Sequence, residues 1–192
     1  FLMDRFGYCR TVDVPTYERN REAADNESRH VIFCKNTDRI CVFTDGGKMH
    51  TVKVLDLPYG KFRDKAFPVD NYSNFDSSQE QMLCVVSMEA LMAGKLLFVT
   101  RQGMSKVVSG QEYDVRTRTS VATKLNEEDS VLLAELLGDS MQLVLQSEDG
   151  YFLKFSAEEI PEKKKAAVGV RAMRLSDSDR LAEAYLFAKG TE

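Results

Sequence analysis

A unit of two short apolar strands joined at a glycine occurs four times in this chain. The turns fall at Gly7, Gly47, Gly103 and Gly150, spaced 40, 56 and 47 residues apart. In each unit about four apolar residues run into a polar turn, and a second apolar-rich strand follows. A basic residue stands three or four places after each glycine: Arg10, His50, Lys106 and Lys154. One hairpin cannot bury its apolar face alone, so neighbours must stack and share a core. A period of this size is that of a β-propeller or a similar array.

The second half of the unit repeats as well. Lys124, Leu125 and Asp129 match Arg174, Leu175 and Asp179, each 50 residues further on, whereas the hairpin glycines of those two units are 47 apart. The three extra residues belong in Pro161-Glu162-Lys163-Lys164-Lys165. Insertions between repeats map to loops. A basic loop that differs between repeats is the first place to expect a binding surface.

Strands dominate the reading. Val31-Ile32-Phe33-Cys34, Ile40-Cys41-Val42-Phe43, Leu83-Cys84-Val85-Val86, Leu96-Leu97-Phe98-Val99, Val131-Leu132-Leu133 and Leu143-Val144-Leu145 are short apolar runs bounded by turn residues. Such runs read as buried strands. Asp45-Gly46-Gly47, Arg101-Gln102-Gly103 and Glu148-Asp149-Gly150 are turns that use glycine for a positive φ. Residues 87–93 read as a helical turn or a loop insertion. Residues 178–189 have helix-friendly composition, but alignment with residues 130–137 assigns them to a strand. Pro58, Pro68 and Pro161 fall in connections, where a missing N–H does not interrupt a ladder. The expectation is one all-β domain of about four antiparallel four-stranded blades, with repeat units at residues 1–34, 35–90, 91–137 and 138–192. Because Phe1 falls inside a strand, the chain reads as part of a longer protein.

A chain of 192 residues can bury about two-thirds of its unfolded surface, enough for a true core. No apolar run approaches the roughly 18 residues of a membrane helix, and no signal peptide is visible. Cys9, Cys34, Cys41 and Cys84 form no Cys-x-x-Cys pair and sit in apolar contexts. They read as reduced, buried thiols of a cytoplasmic protein. His30 and His50 are too isolated to complete a zinc site.

The net charge of −4 hides an uneven distribution. Residues 125–150 carry seven acids and no Lys or Arg, whereas residues 161–175 carry Lys163, Lys164, Lys165, Arg171 and Arg174 against Glu162 alone. At physiological salt the screening length is about 8 Å, so a local patch acts largely by itself. These five residues are the foremost candidates for phosphate contact, which supplies affinity without base information. Arg116 and Arg118 stand 47 residues before Lys163 and Lys165. Lys61, Arg63 and Lys65 hold a similar place one unit earlier, where alternation at period 2 would put them on one strand face. Each group also reads as a solvated loop or a charge-protected edge. Lys106, on a hairpin, and Arg21, flanked by Glu22, complete the set.

Several units together resemble a known family. Gly7-Tyr8-Cys9-Arg10-Thr11-Val12, Gly150-Tyr151-Phe152-Leu153-Lys154-Phe155 and Val168-Gly169-Val170-Arg171-Ala172-Met173-Arg174-Leu175 resemble the C-terminal domain of the A subunit of bacterial type IIA topoisomerases, gyrase and topoisomerase IV. The resemblance covers essentially the whole chain and implies a β-pinwheel that bends double-stranded DNA around a basic perimeter. It implies as partners the remainder of the A subunit and an ATPase B subunit, with a cytoplasmic, nucleoid-associated location and no membrane. It implies no cofactor for this domain, magnesium and ATP serving the whole enzyme. The gyrase box, Gln-Arg-Arg-Gly-Gly-Arg-Gly, is replaced here by Asn20-Arg21-Glu22-Ala23-Ala24-Asp25-Asn26. Only Arg21 matches, which favours a topoisomerase IV-like subunit that bends duplex without wrapping it fully.

Catalysis finds no support in the residues. There is no P-loop, no Gly-x-Ser-x-Gly and no His-Glu-x-x-His, and the family's catalytic tyrosine lies in an upstream domain that this chain does not match. The rival to DNA binding is a propeller-like protein-interaction module, which the acidic composition allows.

Overall fold

The computed structural model describes residues 1–190. The first repeat contributes β1 (Leu2–Met3), β2 (Tyr8–Arg10), helices α1 (Val14–Arg19) and α2 (Arg21–Glu27), and β3 (His30–Val31). The second contributes β4 (Arg39–Thr44), β5 (Lys48–Lys53), β6 (Phe67–Pro68) and β7 (Met82–Ser87), then the short helix α3 (Met88–Met92). The third contributes β8 (Lys95–Thr100), β9 (Met104–Ser109), β10 (Thr119–Val121) and β11 (Val131–Leu136). The fourth contributes β12 (Met141–Ser147), β13 (Phe152–Ser156), β14 (Val170–Arg171) and β15 (Leu181–Ala188).

These strands form four antiparallel sheets among the described residues, in the orders β3-β1-β2-β6, β7-β4-β5-β10, β11-β8-β9-β14 and β15-β12-β13. Each of the first three glycine hairpins occupies the middle of its sheet. The last strand of each repeat returns to its own hairpin. The strand before it crosses to the hairpin of the preceding repeat: β6 pairs with β2, β10 with β5 and β14 with β9. One edge of each of the first three sheets is thus supplied by residues of the next repeat. The fourth sheet has three strands, and the outer edge of β13 carries no partner strand among the described residues. Tyr151 and Phe152 beside that edge are exposed.

The glycines have a second reason to be glycine. Gly47 and Gly103 have φ of +72° and +82°, a region costly for residues with a Cβ. The exchanged segment also lies directly on them. A Cβ would meet the Thr123 carbonyl oxygen at 2.7 Å in one case and that of Met173 at 2.8 Å in the other. The glycine carbonyls accept from Ala122 N and Ala172 N, both at 2.8 Å, and Gly7 O accepts from Val69 N at 2.9 Å. Around Gly150, at the unpartnered edge, nothing among the described residues lies within 4 Å of a Cβ.

Period-2 alternation splits the central strands between two cores. Ile40 and Val42 of β4 pack with Met3, Cys9 and Val69, while Cys41 and Phe43 pack with Phe98, Val108 and Tyr113. On β8, Leu96 and Phe98 enter that second core, while Leu97 and Val99 enter a third with Leu143, Leu145 and Leu181. Burial on both faces is why these strands read as unbroken apolar runs. β11 lies against β7 and β15, so the later sheets stack in series. The fourth sheet is covered on one face, and β12 alternates between buried and half-buried residues accordingly.

Four segments refine the expectations from sequence. Residues 181–188 are the strand that repeat alignment required, and residues 88–92 take the helical option. In the first repeat, α1 and α2 stand where a mostly strand reading placed none. Asp13 caps α1 by accepting from Thr16 N, and a proline occupies its first turn, both helix-starting signals. Tyr17 and Ala24 on these helices pack against Leu2 and Phe62, covering the outer face of the first sheet. The run at residues 31–34 is strand only at His30–Val31. All four cysteines are free thiols. Burial pushes Cys9, Cys41 and Cys84 up to about 12.

Candidate nucleic-acid interface

Strand exchange brings the sequence-selected basic loops into equivalent places. Residues 61–66 precede β6, residues 114–118 precede β10 and residues 161–169 precede β14, and each of these strands is the edge of its sheet. An edge strand leaves one side of its backbone free of neighbours, so the loop leading into it is held at one end and open to solvent.

Lys163 and Lys164 are exposed, and Lys165 is half-buried. Their loop is fixed through its backbone. Lys163 N donates to Val107 O at 2.8 Å, Ala167 N to Lys164 O at 3.0 Å, and Lys165 N to a carboxylate oxygen of Glu112 at 3.2 Å. Lys124 N donates to Lys165 O at 3.2 Å, tying this loop to the preceding repeat. Arg171 on β14 and Arg174 beyond it are exposed and line one open recess of about 480 Å³ with Gln102 and Arg180. Sequence reasoning missed Arg180, whose guanidinium donates to the Asp177 and Asp179 carbonyls.

Arg116 and Arg118 are exposed, and Arg118 Nη2 donates to Tyr72 O at 2.7 Å. Lys61, Arg63 and Lys65 are exposed too, but not by strand alternation as expected. Residues 61–66 form an irregular turn in which Lys61 N donates to Asp64 Oδ2 at 2.7 Å. Buried Phe62 pins this turn to the core and leaves the flanking cations outside. Arg21 opens α2, and its Nε lies 3.7 Å from Asp25 Oδ2 in an exposed pair. Asp25 also accepts from the Tyr17 hydroxyl at 2.7 Å. Where the glycine-rich box would stand, the chain thus has a packed helix with part of its charge balanced.

Lys106 differs from the other sequence candidates. It is only 1% exposed, so it is not available to a ligand on the surface. Its Nζ donates to the carbonyls of Lys164 and Lys165, each at 2.9 Å, and to that of Ala167. Burial draws its pKa down to about 8, against the opposing charge of Glu112. A period-2 pattern on β9 cannot reveal this, because the covering segment arrives from residues 164–167.

A second basic recess went unread in the sequence. Arg5, Arg10 and Arg29 line an open hollow of about 600 Å³ beside the exposed rings of Phe6 and Tyr8, with Asp4 and Glu27 at its walls. The three arginines are separated in sequence by a hairpin and two helices, which is why no local motif shows them. Among the described residues no cluster of His, Cys, Asp and Glu is arranged to hold a metal ion, and no helix is long and apolar enough to cross a membrane.

Glycine hairpins, exchanged edge strands and serial sheets define the β-pinwheel class. The family model described as "DNA gyrase C-terminal domain, beta-propeller" matches residues 94–136 and 142–187, each span running from one hairpin to its returning strand. The DNA gyrase A subunit of Lawsonia intracellularis is 25% identical over 189 residues, covering 92% of this chain. That of Mycolicibacterium smegmatis is 30% identical over 162 residues, covering 82%. The chain spans only 23% and 19% of those relatives' lengths. A solved C-terminal domain of DNA topoisomerase IV superposes with a TM-score of 0.82 at 22% identity, over 97% of this chain and 60% of that one. The E. coli ParC C-terminal domain superposes with a TM-score of 0.73 at 18% identity, over 97% of this chain and 78% of that one. At these identities the structural likeness speaks for the fold. The chain has the β-pinwheel fold of those solved C-terminal domains.

Proposed function

We propose that this domain binds and bends duplex DNA for a type IIA topoisomerase, without catalysing a reaction itself. The observation that carries the reading is the recurrence of exposed cations before successive exchanged edge strands: Lys61, Arg63 and Lys65, then Arg116 and Arg118, then Lys163 and Lys164 with Arg171. Contacts of this kind supply sequence-independent affinity. Bending a 20–30 bp site costs on the order of 1–6 kcal/mol, so contacts spread over several sheets are needed to offset it. Arg174, Lys165 and Arg21 add charge nearby. On this reading the partners are the rest of an A subunit and an ATPase B subunit, in the cytoplasm on the nucleoid. Magnesium and ATP chemistry belongs to those other parts.

The test is a salt titration of duplex binding. The protein should bind unrelated duplexes equally and lose affinity steeply with salt. Replacing Lys163, Lys164 and Lys165 by alanine should reduce the slope by up to about 0.9 for each phosphate no longer bound. An unchanged slope would return those lysines to solvent. Absence of duplex binding at low salt would favour a protein-interaction module, for which the net charge of −4 is the supporting observation.

A further inference from the structure

We propose that Lys106 is a positioning residue of the DNA-binding loop: its buried ammonium grips three backbone carbonyls and holds residues 163–167 in the form that leaves Lys163 and Lys164 outward, without touching DNA itself. The proposal rests on the reading of that loop as a duplex-binding element.

The stoichiometry is complete. An ammonium has three donors and no acceptor, and here three carbonyls, of Lys164, Lys165 and Ala167, receive them. Three lysines in a row repel one another, so an unrestrained loop would spread them and sample many shapes. The clasp acts on the backbone and leaves the lysine side chains free. Glu112 is the acid facing the site; it accepts from Lys165 N and partly balances the buried charge. Glu162 at the start of the loop is taken up by Lys95 at 2.7 Å.

The same hairpin position reaches the exchanged segment elsewhere in the chain, with fewer bonds. Arg10 Nη1 donates to Asp64 O at 2.8 Å, in the loop that precedes β6. His50 Nδ1 lies 2.9 Å from Thr119 Oγ1 on β10, and its other ring nitrogen meets Glu80 at 2.7 Å. Lysine, arginine and histidine share little except a side-chain nitrogen that reaches the segment exchanged from the next repeat. Lys154, on the sheet with no exchanged strand, is exposed and lies against Phe187 of its own sheet. The periodic basic residue of the sequence thus follows the exchanged segment, and where that segment is missing among the described residues it has no backbone partner there.

The experiment compares the full chain with Lys106→Met, Lys106→Arg and Lys154→Met. Amide hydrogen exchange is followed at residues 163–167 and along β8 and β9. Lys106→Met should speed exchange in the loop at least tenfold and leave β8 and the rest of β9 nearly unchanged. Lys106→Arg should restore most of the protection, since Arg10 performs that role in the first sheet, and Lys154→Met should have no effect. Duplex affinity of Lys106→Met should fall several-fold with a salt slope changed by less than the roughly 0.9 of one phosphate contact. A loop unaffected by Lys106→Met, or a uniform loss of protection through β8 and β9, would overturn the proposal. So would a slope lower by one whole phosphate, which would make Lys106 a DNA ligand. If Lys106→Met does not fold, the wild type decides by NMR. The Lys106 ¹⁵Nζ signal should be slow to exchange and coupled to the three loop carbonyls, and a signal as labile as those of surface lysines would refute the clasp. Wild-type protein that binds no duplex would sink the DNA reading, while the exchange data would still test the clasp.

Discussion

Gly103 lies beneath the Met173 carbonyl, whose oxygen would stand 2.8 Å from any Cβ placed there. Gly150 has nearly the same backbone, φ +89° against +82°, but none of the described residues lies over it. The pair separates two costs that usually come together. Gly150→Ala should lose only the left-handed strain, of order 1–3 kcal/mol. Gly103→Ala should lose that and also push the exchanged segment off β9, roughly doubling the loss. Urea midpoints of the two variants measure the difference, and equal losses would show that the overlying segment moves freely.

The repeated acids at positions 129 and 179 clamp hairpin turns. Asp129 Oδ1 accepts from Gln102 N at 3.0 Å and Ser130 N at 2.8 Å, and Asp179 Oδ1 accepts from Asp149 N at 3.1 Å and Arg180 N at 2.9 Å. The other oxygen of Asp129 is buried with no partner among the described residues. Asp129→Asn should therefore be tolerated within about 1 kcal/mol, since an asparagine oxygen can keep both bonds. Asp129→Ala should cost about 1.5–3 kcal/mol, the range for hydrogen bonds to a charged group. Chemical denaturation distinguishes these outcomes.

Lys106 gives the stability a signed dependence on pH. In the unfolded chain it titrates near its ordinary 10.5, and in the folded protein at about 8. Between those values the unfolded state holds more protons, so this group makes stability rise with pH from about 8 to 10.5. Below pH 8 both states are protonated and its contribution is flat. The unfolding free energy of wild type minus that of Lys106→Met should grow from about pH 7 to about pH 10, because the opposing contribution of the buried thiols is common to both and cancels. A slope of the opposite sign would mean that the three carbonyl bonds hold the charged form more strongly than burial disfavours it.

The segment at residues 20–26 yields a prediction about DNA topology. Ala24 is fully buried, and Ala23 packs against the same cluster. Substituting the glycine–arginine box puts glycine at positions 23, 24 and 26. The two alanine-to-glycine changes alone should cost about 1 kcal/mol each in helix stability. The expected result is a lower thermal midpoint. On nicked circular DNA ligated in its presence, the native protein should shift linking number only slightly, as bending without wrapping requires. A large native shift would refute that part of the proposed function.

The amino-acid sequence by itself determined the class of the fold. Four hairpins of recurring pattern cannot bury themselves singly, and runs such as Ile40-Cys41-Val42-Phe43 admit burial only on both faces of a strand. The exposed cations at 61–65, 116–118 and 163–164 were legible for a local reason: polar turns between apolar strands stay in solvent. The tertiary structure alone decided which repeat completes which sheet. The exchanged strands have two or three residues each, too few to carry a pattern, and their register comes from contacts such as Ala172 N with Gly103 O. It also decided the fate of Lys106, identical in local sequence context to a surface cation until residues 164–167 close over it. The same holds for the hollow of Arg5, Arg10 and Arg29. Local periodicity reports which face of an element is apolar, but the neighbour that covers it is chosen by long-range packing, which no single segment encodes.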